Sequence, residues 1–411
     1  MMNQKHMPLF PKPHFQPGRP SHDKRHATWT ELFYDLAYVV AISVIAHRLS
    51  LTINRQGLLH FIMFYTPVWL LWMDNTFYSD RFDTDDIWHR LCFFIQMTGI
   101  TGLAVFAHAG FPQGFYGFIA SYLVVRVIII FNYLRAASSK SDAKKLARII
   151  STTHLTALVP WIAAFFFGAP ASYYLAGTAL LIDILGPPVL SSGAWARVRV
   201  DISHLPERFG LFTIIVLGES IASVAGGLGQ NPFTFRALIT GFFGMLLAFS
   251  LWWTYFENIE NVMISQIRHL YLNKSRDLRS YFQSVNLVYG NFVLTMGLTL
   301  IGVGLYSLIS TGPGTVPSQV MWLICTAAAA SFFIIGNMEL GDAEAEISTH
   351  HTVALVLRYG AAALILGAAV SGLFTTSFAI LGFLAFVGSV QIFWGVFTRK
   401  VHSLGDSNIS S

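Results

Sequence analysis

The sequence predicts an all-α polytopic membrane protein, and its composition is the first reason. Of 411 residues, 54% are hydrophobic and only 11% are charged, whereas soluble domains carry about 25% charged residues. A single buried core cannot enclose that many apolar side chains. The chain therefore requires an apolar solvent, which is the interior of a lipid bilayer.

Apolar runs are the second reason, because a helix of about 20 apolar residues crosses the bilayer core. We place twelve such helices at residues 28–49, 57–78, 88–108, 115–136, 147–167, 171–192, 207–228, 234–256, 281–309, 318–340, 353–373 and 376–398. The segment before them, 1–27, is polar and rich in proline. We expect it to be a disordered cytoplasmic tail, and 401–411 to be a second cytoplasmic tail.

The distribution of Lys and Arg is the third reason, because basic residues concentrate in cytoplasmic loops. With a cytoplasmic N-terminus, 22 of the 26 Lys and Arg residues fall in inner segments and three fall in outer ones. The remaining one, Arg126, lies within a span. Both termini are therefore expected inside, and the net charge of +5 orients the protein rather than binding nucleic acid.

Two pairs of similar segments predict an internal repeat. TELFYDLAYVVAISVIA from residue 30 resembles PERFGLFTIIVLGESIA from residue 206, and LLWMDNTFY from residue 70 resembles SLWWTYFEN from residue 250. The offsets are 176 and 180 residues and cover six predicted helices, so the two copies would run in the same direction. We expect two parallel six-helix halves, at residues 28–200 and 201–400, as in transporters built from parallel repeats.

Two carboxylates at the start of the first helix, Glu31 and Asp35, are four residues apart and share one helix face. Glu31 lies in the first turn, so it could cap the helix as well as serve a function. Asp35 lies roughly 10 Å along the helix, which is too deep for capping. We expect both to join a polar network that leads from the inner side toward Glu219.

Three further charged residues lie near mid-span: Arg126, Asp183 and Glu219. Arginine keeps its charge, and a charge at the bilayer centre costs about 3 kcal/mol, so Arg126 should pair with Asp183 or Glu219. That pair could serve function or structure alone. The spans then hold four carboxylates against one arginine, which suggests a bound cation or a mobile proton. His154 could relay that proton or simply pack through hydrogen bonds.

The inner loop SDRFDTDDIWHR, residues 79–90, contains a cluster of acids. It lacks the Gly and the terminal Glu of an EF-hand, so a solvated helix entry is the simpler interpretation and the presence of a metal stays open. The chain also lacks the Gly-x-x-x-x-Gly-Lys loop of ATP-driven pumps and the His-Glu-x-x-His motif of zincins. We therefore expect no cofactor and, on balance, no enzymatic activity. The expected partners are membrane lipid and protons or small cations.

Three ordered motifs, HATWTELFYDLAYVVAI, FYSDRFDTDDIWHRLCFFIQM and PERFGLFTIIVLGESI, resemble the bacterial low temperature requirement A family. The resemblance covers residues 26 to about 400. It implies a multi-pass protein of the bacterial inner membrane that is related to growth in the cold. The motif positions of the family fall on Glu31, Asp35, Arg81, Asp83, Asp85, Asp86, Glu207, Arg208, Gly218 and Glu219 of this chain.

The expected function is cation- or proton-coupled transport of a small solute, because acids that reach mid-span favour a transport path over interfacial chemistry. A membrane-embedded lipid-modifying enzyme or accessory factor would also fit growth in the cold. A cation channel is a further alternative: Phe33, Tyr34 and Asp35 resemble part of the Arg-x-x-x-Phe-Ser-Asp signature of two-repeat potassium channels. Trp29 stands where that signature has its Arg. A purely structural membrane protein is the remaining class.

Cysteine accessibility on intact cells tests the predicted topology. We expect a membrane-impermeant thiol reagent to label a cysteine placed in loop 109–114, because that loop is predicted to lie outside. The same reagent should leave Ser139→Cys unlabelled until the cells are permeabilised. Labelling of Ser139→Cys in intact cells would show that the alternation of loops is wrong.

Overall fold

The computed structural model describes residues 14–15, 27–83, 87–138, 143–195, 204–230, 234–272, 278–311, 315–340 and 349–409. Twelve α-helices lie in these ranges. They are α1 (Trp29–Ser50), α2 (Arg55–Arg81), α3 (Ile87–Ala109), α4 (Phe115–Ala137), α5 (Lys144–Phe166), α6 (Ala171–Trp195), α7 (His204–Gly229), α8 (Phe235–Leu272), α9 (Leu278–Ser310), α10 (Ser318–Leu340), α11 (Thr349–Ser371) and α12 (Ser377–Ile409).

These helices confirm the predicted fold class, an all-α polytopic membrane protein. Each of the twelve predicted spans corresponds to one helix, and eleven of the described helices are long and apolar enough to cross a membrane. Two helices run further than the apolar runs predict. α8 continues to Leu272 and α12 to Ile409, so most of the predicted tail 401–411 is helical.

Among the described helices, α2 is the one that is too polar to qualify as a membrane span by composition. Its burial explains how it tolerates these polar residues. Every residue from Phe64 to Arg81 is buried. A helix that is enclosed by protein on all sides meets other side chains rather than lipid, so its polar residues are tolerated when each has a partner. Asp74, Thr76 and Asp80 are such residues.

The chain divides into two compact units. Unit 1 comprises residues 1–48, 55–208 and 270–281, and unit 2 comprises residues 49–54, 209–269 and 282–411. The division falls inside α7, whose first five residues, His204–Arg208, belong to unit 1. The halves expected at 28–200 and 201–400, and their origin in a repeat, remain predictions.

In unit 1, helices that follow one another in sequence pack side by side from α3 to α6, and α2 packs against α4 and α6. Glycine permits the close approach of two of these pairs. A Cβ atom on Gly186 of α6 would collide with the side chain of Thr153 on α5. A Cβ atom on Gly99 of α3 would lie 2.5 Å from the side chain of Val125 on α4.

Contacts near the helix ends of unit 1 agree with the predicted alternation of loops. β1 (His14–Phe15) pairs antiparallel with β2 (Phe82–Asp83), so this part of the N-terminal segment lies at the end of α2. The rest of the predicted disordered tail, 1–13 and 16–26, lies outside the described residues. At the C-terminal ends of α1 and α3, a Cβ atom on Gly110 would lie 2.9 Å from the Arg48 guanidinium.

In unit 2, α9 contacts its neighbours at glycines in the same way. Gly227 of α7 lies against Ile309 of α9, and Gly304 of α9 lies against Ile324 of α10. α10 packs against α11, and α12 packs against both. Close helix packing with little side-chain volume between the backbones is therefore a property of each unit.

Three arginines that the sequence analysis assigned to inner segments are instead buried. Arg81, Arg208 and Arg358 are 1%, 0% and 2% exposed. Without these three, nineteen of the 22 Lys and Arg residues remain in inner segments, against three in outer segments. The bias that predicts cytoplasmic termini therefore keeps its sign, and the orientation remains a prediction.

Gly186→Ala should destabilise the protein by about 1–3 kcal/mol, because the added methyl group overpacks the contact between α5 and α6. Thr153→Ala removes the colliding methyl group, so the double variant should recover much of the loss. The measurement is the fraction of protein that survives heating in detergent, read by size-exclusion chromatography. Gly177→Ala on the same helix is the matched control, since a Cβ atom there meets nothing within 4 Å. Equal losses for Gly186→Ala and Gly177→Ala would contradict this packing.

Candidate functional site: two buried charge clusters

The first cluster, here called the Arg126 cluster, comprises Asp74, Tyr122, Arg126, His154 and Asp183. Arg126, His154 and Asp183 come from the middle of α4, α5 and α6, and Asp74 comes from the enclosed helix α2. The exposed fraction of each of the five side chains is at most 7%. Four helices therefore converge on one group of charges near mid-span.

Arg126 is held by carboxylates from two helices. Its Nη1 donates a hydrogen bond to Asp74, and its Nη2 lies 3.6 Å from Asp183 Oδ2. Its Nε donates to the Tyr122 hydroxyl at 2.8 Å, and that hydroxyl donates to Asp183 Oδ2 at 2.5 Å. Trp161 donates to the same oxygen of Asp183 from its indole N–H at 3.1 Å. A guanidinium between two carboxylates is the arrangement that a buried arginine needs.

His154 lies between the same two carboxylates. Its Nδ1 is 3.0 Å from Asp183 Oδ1, and its Nε2 is 3.3 Å from Asp74 Oδ2. Its Nδ1 also lies 3.2 Å from Arg126 Nη1. An ionised carboxylate only accepts hydrogen bonds, and a neutral imidazole has only one N–H. If both contacts to carboxylates are hydrogen bonds, the group holds one extra proton. Either His154 carries a hydrogen on each ring nitrogen, or one of the two aspartates is protonated.

The second cluster, here called the Arg208 cluster, comprises Glu31, Asp35, Asp80, His204 and Arg208. Arg208 binds Asp35 through two hydrogen bonds, from Nε at 3.1 Å and from Nη2 at 2.6 Å. Such two-pronged pairs between arginine and a carboxylate are among the stronger ones in proteins. Trp72 of α2 donates a third hydrogen bond to Asp35 at 2.8 Å. Asp35 is fully buried, which agrees with its predicted depth.

Glu31 caps α1 and also contacts charged residues of α7. Its Oε2 accepts the backbone N–H of Thr28 at 2.8 Å, and the Thr28 hydroxyl accepts the N–H of Glu31 at 3.2 Å, which is a capping box. Its Oε1 lies 3.0 Å from Arg208 Nη1 and 3.4 Å from His204 Nε2. The residue therefore starts α1 and joins the charge cluster.

Within the part of unit 1 that the structure describes, the buried charges balance only when the histidines are counted. Among the described residues, its buried carboxylates are Glu31, Asp35, Asp74, Asp80 and Asp183. They face three buried arginines, Arg81, Arg126 and Arg208. Two positive charges are lacking, and the two buried histidines, His154 and His204, supply them when each carries a second proton. The count of four span carboxylates against one arginine was therefore incomplete, because it omitted these partners.

The predicted partner of Arg126 is confirmed in part. Asp183 lies within ion-pair distance, whereas the hydrogen-bonded partner is Asp74, which the sequence analysis missed. Glu219 lies in unit 2, half-buried, and its side chain lies against Gly302 of α9. The path from Asp35 toward Glu219 stays a prediction.

The remaining motif residues have separate surroundings. Glu207 accepts the backbone N–H of Ala27 at 3.3 Å, beside the start of α1. Arg81 donates to the Phe77 carbonyl at 3.1 Å, and its guanidinium lies over the Phe77 ring. A Cβ atom on Gly218 would meet no atom within 4 Å. The backbone of Asp83 is part of β2, but its side chain and the whole of Asp85 and Asp86 lie outside the described residues.

Sequence reasoning missed Asp74, Asp80 and His204 as members of the clusters. Asp74 and Asp80 lie in and beside the apolar run of α2, six residues apart, where they resemble solvated helix-end residues. His204 precedes the motif that begins at Pro206. The sequence does contain one indication of these partners: the predicted second span carries several polar residues, which is typical of a membrane helix that faces protein rather than lipid. Within the described residues, no group of three or more His, Cys, Asp or Glu has the geometry of a metal site.

Unit 2 contains a buried polar group of its own. Arg358 of α11 lies 3.1 Å from Glu339 of α10 and donates to Gln391 of α12 at 2.5 Å. Gln391 in turn donates to the Leu357 carbonyl at 3.2 Å. This ion pair was missed as well, because Arg358 was assigned to an inner segment.

Membrane-length helices that enclose buried charges define a multi-pass membrane protein with an ionisable interior. The family model described as bacterial low temperature requirement A protein (LtrA) matches residues 26–388, and the chain belongs to that family. Over 247 residues the chain is 26% identical to uncharacterized protein RA0937 of Rhizobium meliloti (strain 1021), which covers 57% of this chain and 59% of the relative. The match thus spans less than two thirds of that relative. No solved structure matches the chain.

Arg126→Gln should destabilise the protein by about 3–5 kcal/mol, because it leaves buried carboxylates without their counter-charge. The double variant Arg126→Gln with Asp74→Asn should recover part of that loss, since it removes one of the unmatched charges. Arg126→Gln with Glu219→Gln is the matched control and should recover nothing. Thermal survival in detergent measures all three. Equal recovery by the two double variants would show that Asp74 is not the principal partner.

Proposed function

We propose that this protein transports a small solute across the bacterial inner membrane, with both termini cytoplasmic, and that proton movement drives the transport. The observation that carries the proposal is the position of His154 between Asp74 and Asp183 beside Arg126. A group that can gain or lose a proton is thereby held near mid-span, where a path across the membrane must pass.

The energetics of the Arg126 cluster support coupling. Loss of one proton changes the charge of a fully buried group by one unit. An unmatched charge in the membrane interior costs several kcal/mol, so a protein conformation that admits water or a counter-ion gains in relative stability. A ligand shifts a conformational equilibrium only as far as it binds one conformation more tightly than the other. A proton bound to the Arg126 cluster favours the enclosed conformation over one that admits water, so it acts as such a ligand.

A lipid-modifying enzyme or accessory factor is the second candidate, and the Arg208 cluster is the observation that favours it. Glu31 and His204 lie in the first turns of α1 and α7, and Asp80 lies in the last turn of α2, so acids and a histidine meet at one end of unit 1. Their exposed fractions are only 4%, 0% and 2%. A lipid headgroup would need access to them, so we rank transport first.

Proton flux in liposomes tests the proposed function. Purified protein is reconstituted with a pH-sensitive dye inside the vesicles, and a potassium diffusion potential is imposed with valinomycin, with a panel of small solutes outside. We expect solute-dependent proton uptake by the wild type and a loss of at least about tenfold for His154→Gln, because glutamine cannot exchange the proton.

His108→Gln is the matched control, since it makes the same substitution at an exposed position of α3. It should retain wild-type flux. Because the family is described by a requirement at low temperature, complementation of a deletion strain in the cold is a second test. At equal expression, His154→Gln should fail to restore growth, and His108→Gln should restore it. Full flux and full complementation by His154→Gln would remove the main support for proton coupling.

A further inference from the structure

We propose that His204 is a second proton-binding site, separate from His154, in a cage formed by Asp80 and Glu31. Its part in coupling rests on the transport function proposed above, whereas the binding of the proton rests on geometry alone. Unit 1 would then hold two exchangeable protons rather than one.

The contacts of His204 repeat those of His154. Its Nδ1 lies 3.1 Å from Asp80 Oδ1, and its Nε2 lies 3.4 Å from Glu31, while the ring is fully buried. Each ring nitrogen thus faces a carboxylate oxygen. With both carboxylates ionised, both nitrogens must carry a hydrogen to donate, which is the imidazolium form.

Among the residues that the structure describes, the charged groups around His204 come from three helices. α1 contributes Glu31 and Asp35, α2 contributes Asp80 and Arg81, and α7 itself contributes Glu207 and Arg208. Both hydrogen bonds from the Arg208 guanidinium to a carboxylate go to Asp35, and its remaining nitrogen faces Glu31. Arg81, next to Asp80 in the chain, donates a hydrogen bond to the Phe77 carbonyl and lies over the Phe77 ring.

Counted with the neighbouring Arg81, the three carboxylates of the Arg208 cluster face two arginines, so one positive charge is still lacking. A protonated His204 supplies that charge, placed between the two carboxylates that it contacts. Buried charges of one sign are costly unless they are matched, so the protonated form is favoured as long as Asp80 and Glu31 are ionised.

The two histidine cages are distinct because each contacts a different aspartate of α2. Asp74 contacts His154 and Asp80 contacts His204, and the two aspartates are six residues apart, or roughly 9 Å along the helix axis. Each cage also has its own arginine. One proton therefore belongs to each cage, and α2 connects the two.

Solid-state NMR of the full chain in lipid bilayers, with ¹⁵N-labelled histidine, tests the proposal without a transport assay. The ¹⁵N shifts distinguish an imidazolium from either neutral tautomer, and His204→Gln and His154→Gln assign two resonances by their loss. His60, which stacks on Phe111, is the comparison. We expect the His204 and His154 resonances to stay in the imidazolium form at a pH where the His60 resonance is neutral.

Asp80→Asn should lower the midpoint of the His204 titration by about one to three pH units, because one neighbouring negative charge is removed. Asp80→Glu should restore most of it. The unchanged His154 resonance shows that the Asp80→Asn protein is folded, and Asp74→Asn should act on His154 and leave His204 unchanged. If Asp80→Asn does not fold, the wild-type titration alone decides.

A neutral His204 at the pH where His60 is neutral, or a midpoint that Asp80→Asn leaves unchanged, overturns the second site. Those results leave the proposed function intact if His154→Gln still abolishes flux. Conversely, absence of flux in wild-type liposomes with a protonated His204 refutes proton-coupled transport and leaves the second proton site in place.

Discussion

Charge matching in an apolar solvent is the constraint on which unit 1 depends. A bilayer offers no water to an ion, so each buried charge must find an opposite charge within the protein. Arg126 of α4 meets this requirement with carboxylates from α2 and α6, and Arg208 of α7 meets it with two carboxylates from α1. The helices are therefore positioned by their charges as well as by their apolar contacts. This double requirement explains why both clusters are so fully enclosed.

Helix α2 is where the constraint acts most directly. It contributes a carboxylate to each cluster, Asp74 to one and Asp80 to the other, and its Trp72 fixes the orientation of Asp35. A helix with that many polar groups is stable only when other helices surround it. Close packing supplies the enclosure, since the absence of a side chain at Gly186 lets α6 approach α5 beside the histidine cage.

The buried polar group of unit 2 makes a physical contrast with those of unit 1. Arg358, Glu339 and Gln391 come from α11, α10 and α12, just as Arg126 and its carboxylates link neighbouring helices in unit 1. Arginine keeps its charge, and the amide of glutamine carries none. None of these three side chains is a histidine, whereas each cluster of unit 1 contains one, and histidine is the side chain whose ordinary pKa lies near neutral pH.

The sequence by itself determined the membrane class, the twelve helices and the two acids of α1, because a helix's length and polarity report directly on its solvent. It also marked Arg126, His154 and Asp183 as costly residues that need partners. Only the tertiary structure decided which partners they have. Asp35 and Arg208 are 173 positions apart in the chain and Asp74 and Arg126 are 52 apart, so no local pattern connects them. Pairing of buried charges is a property of how helices pack, and that packing is encoded by the whole chain rather than by any one segment.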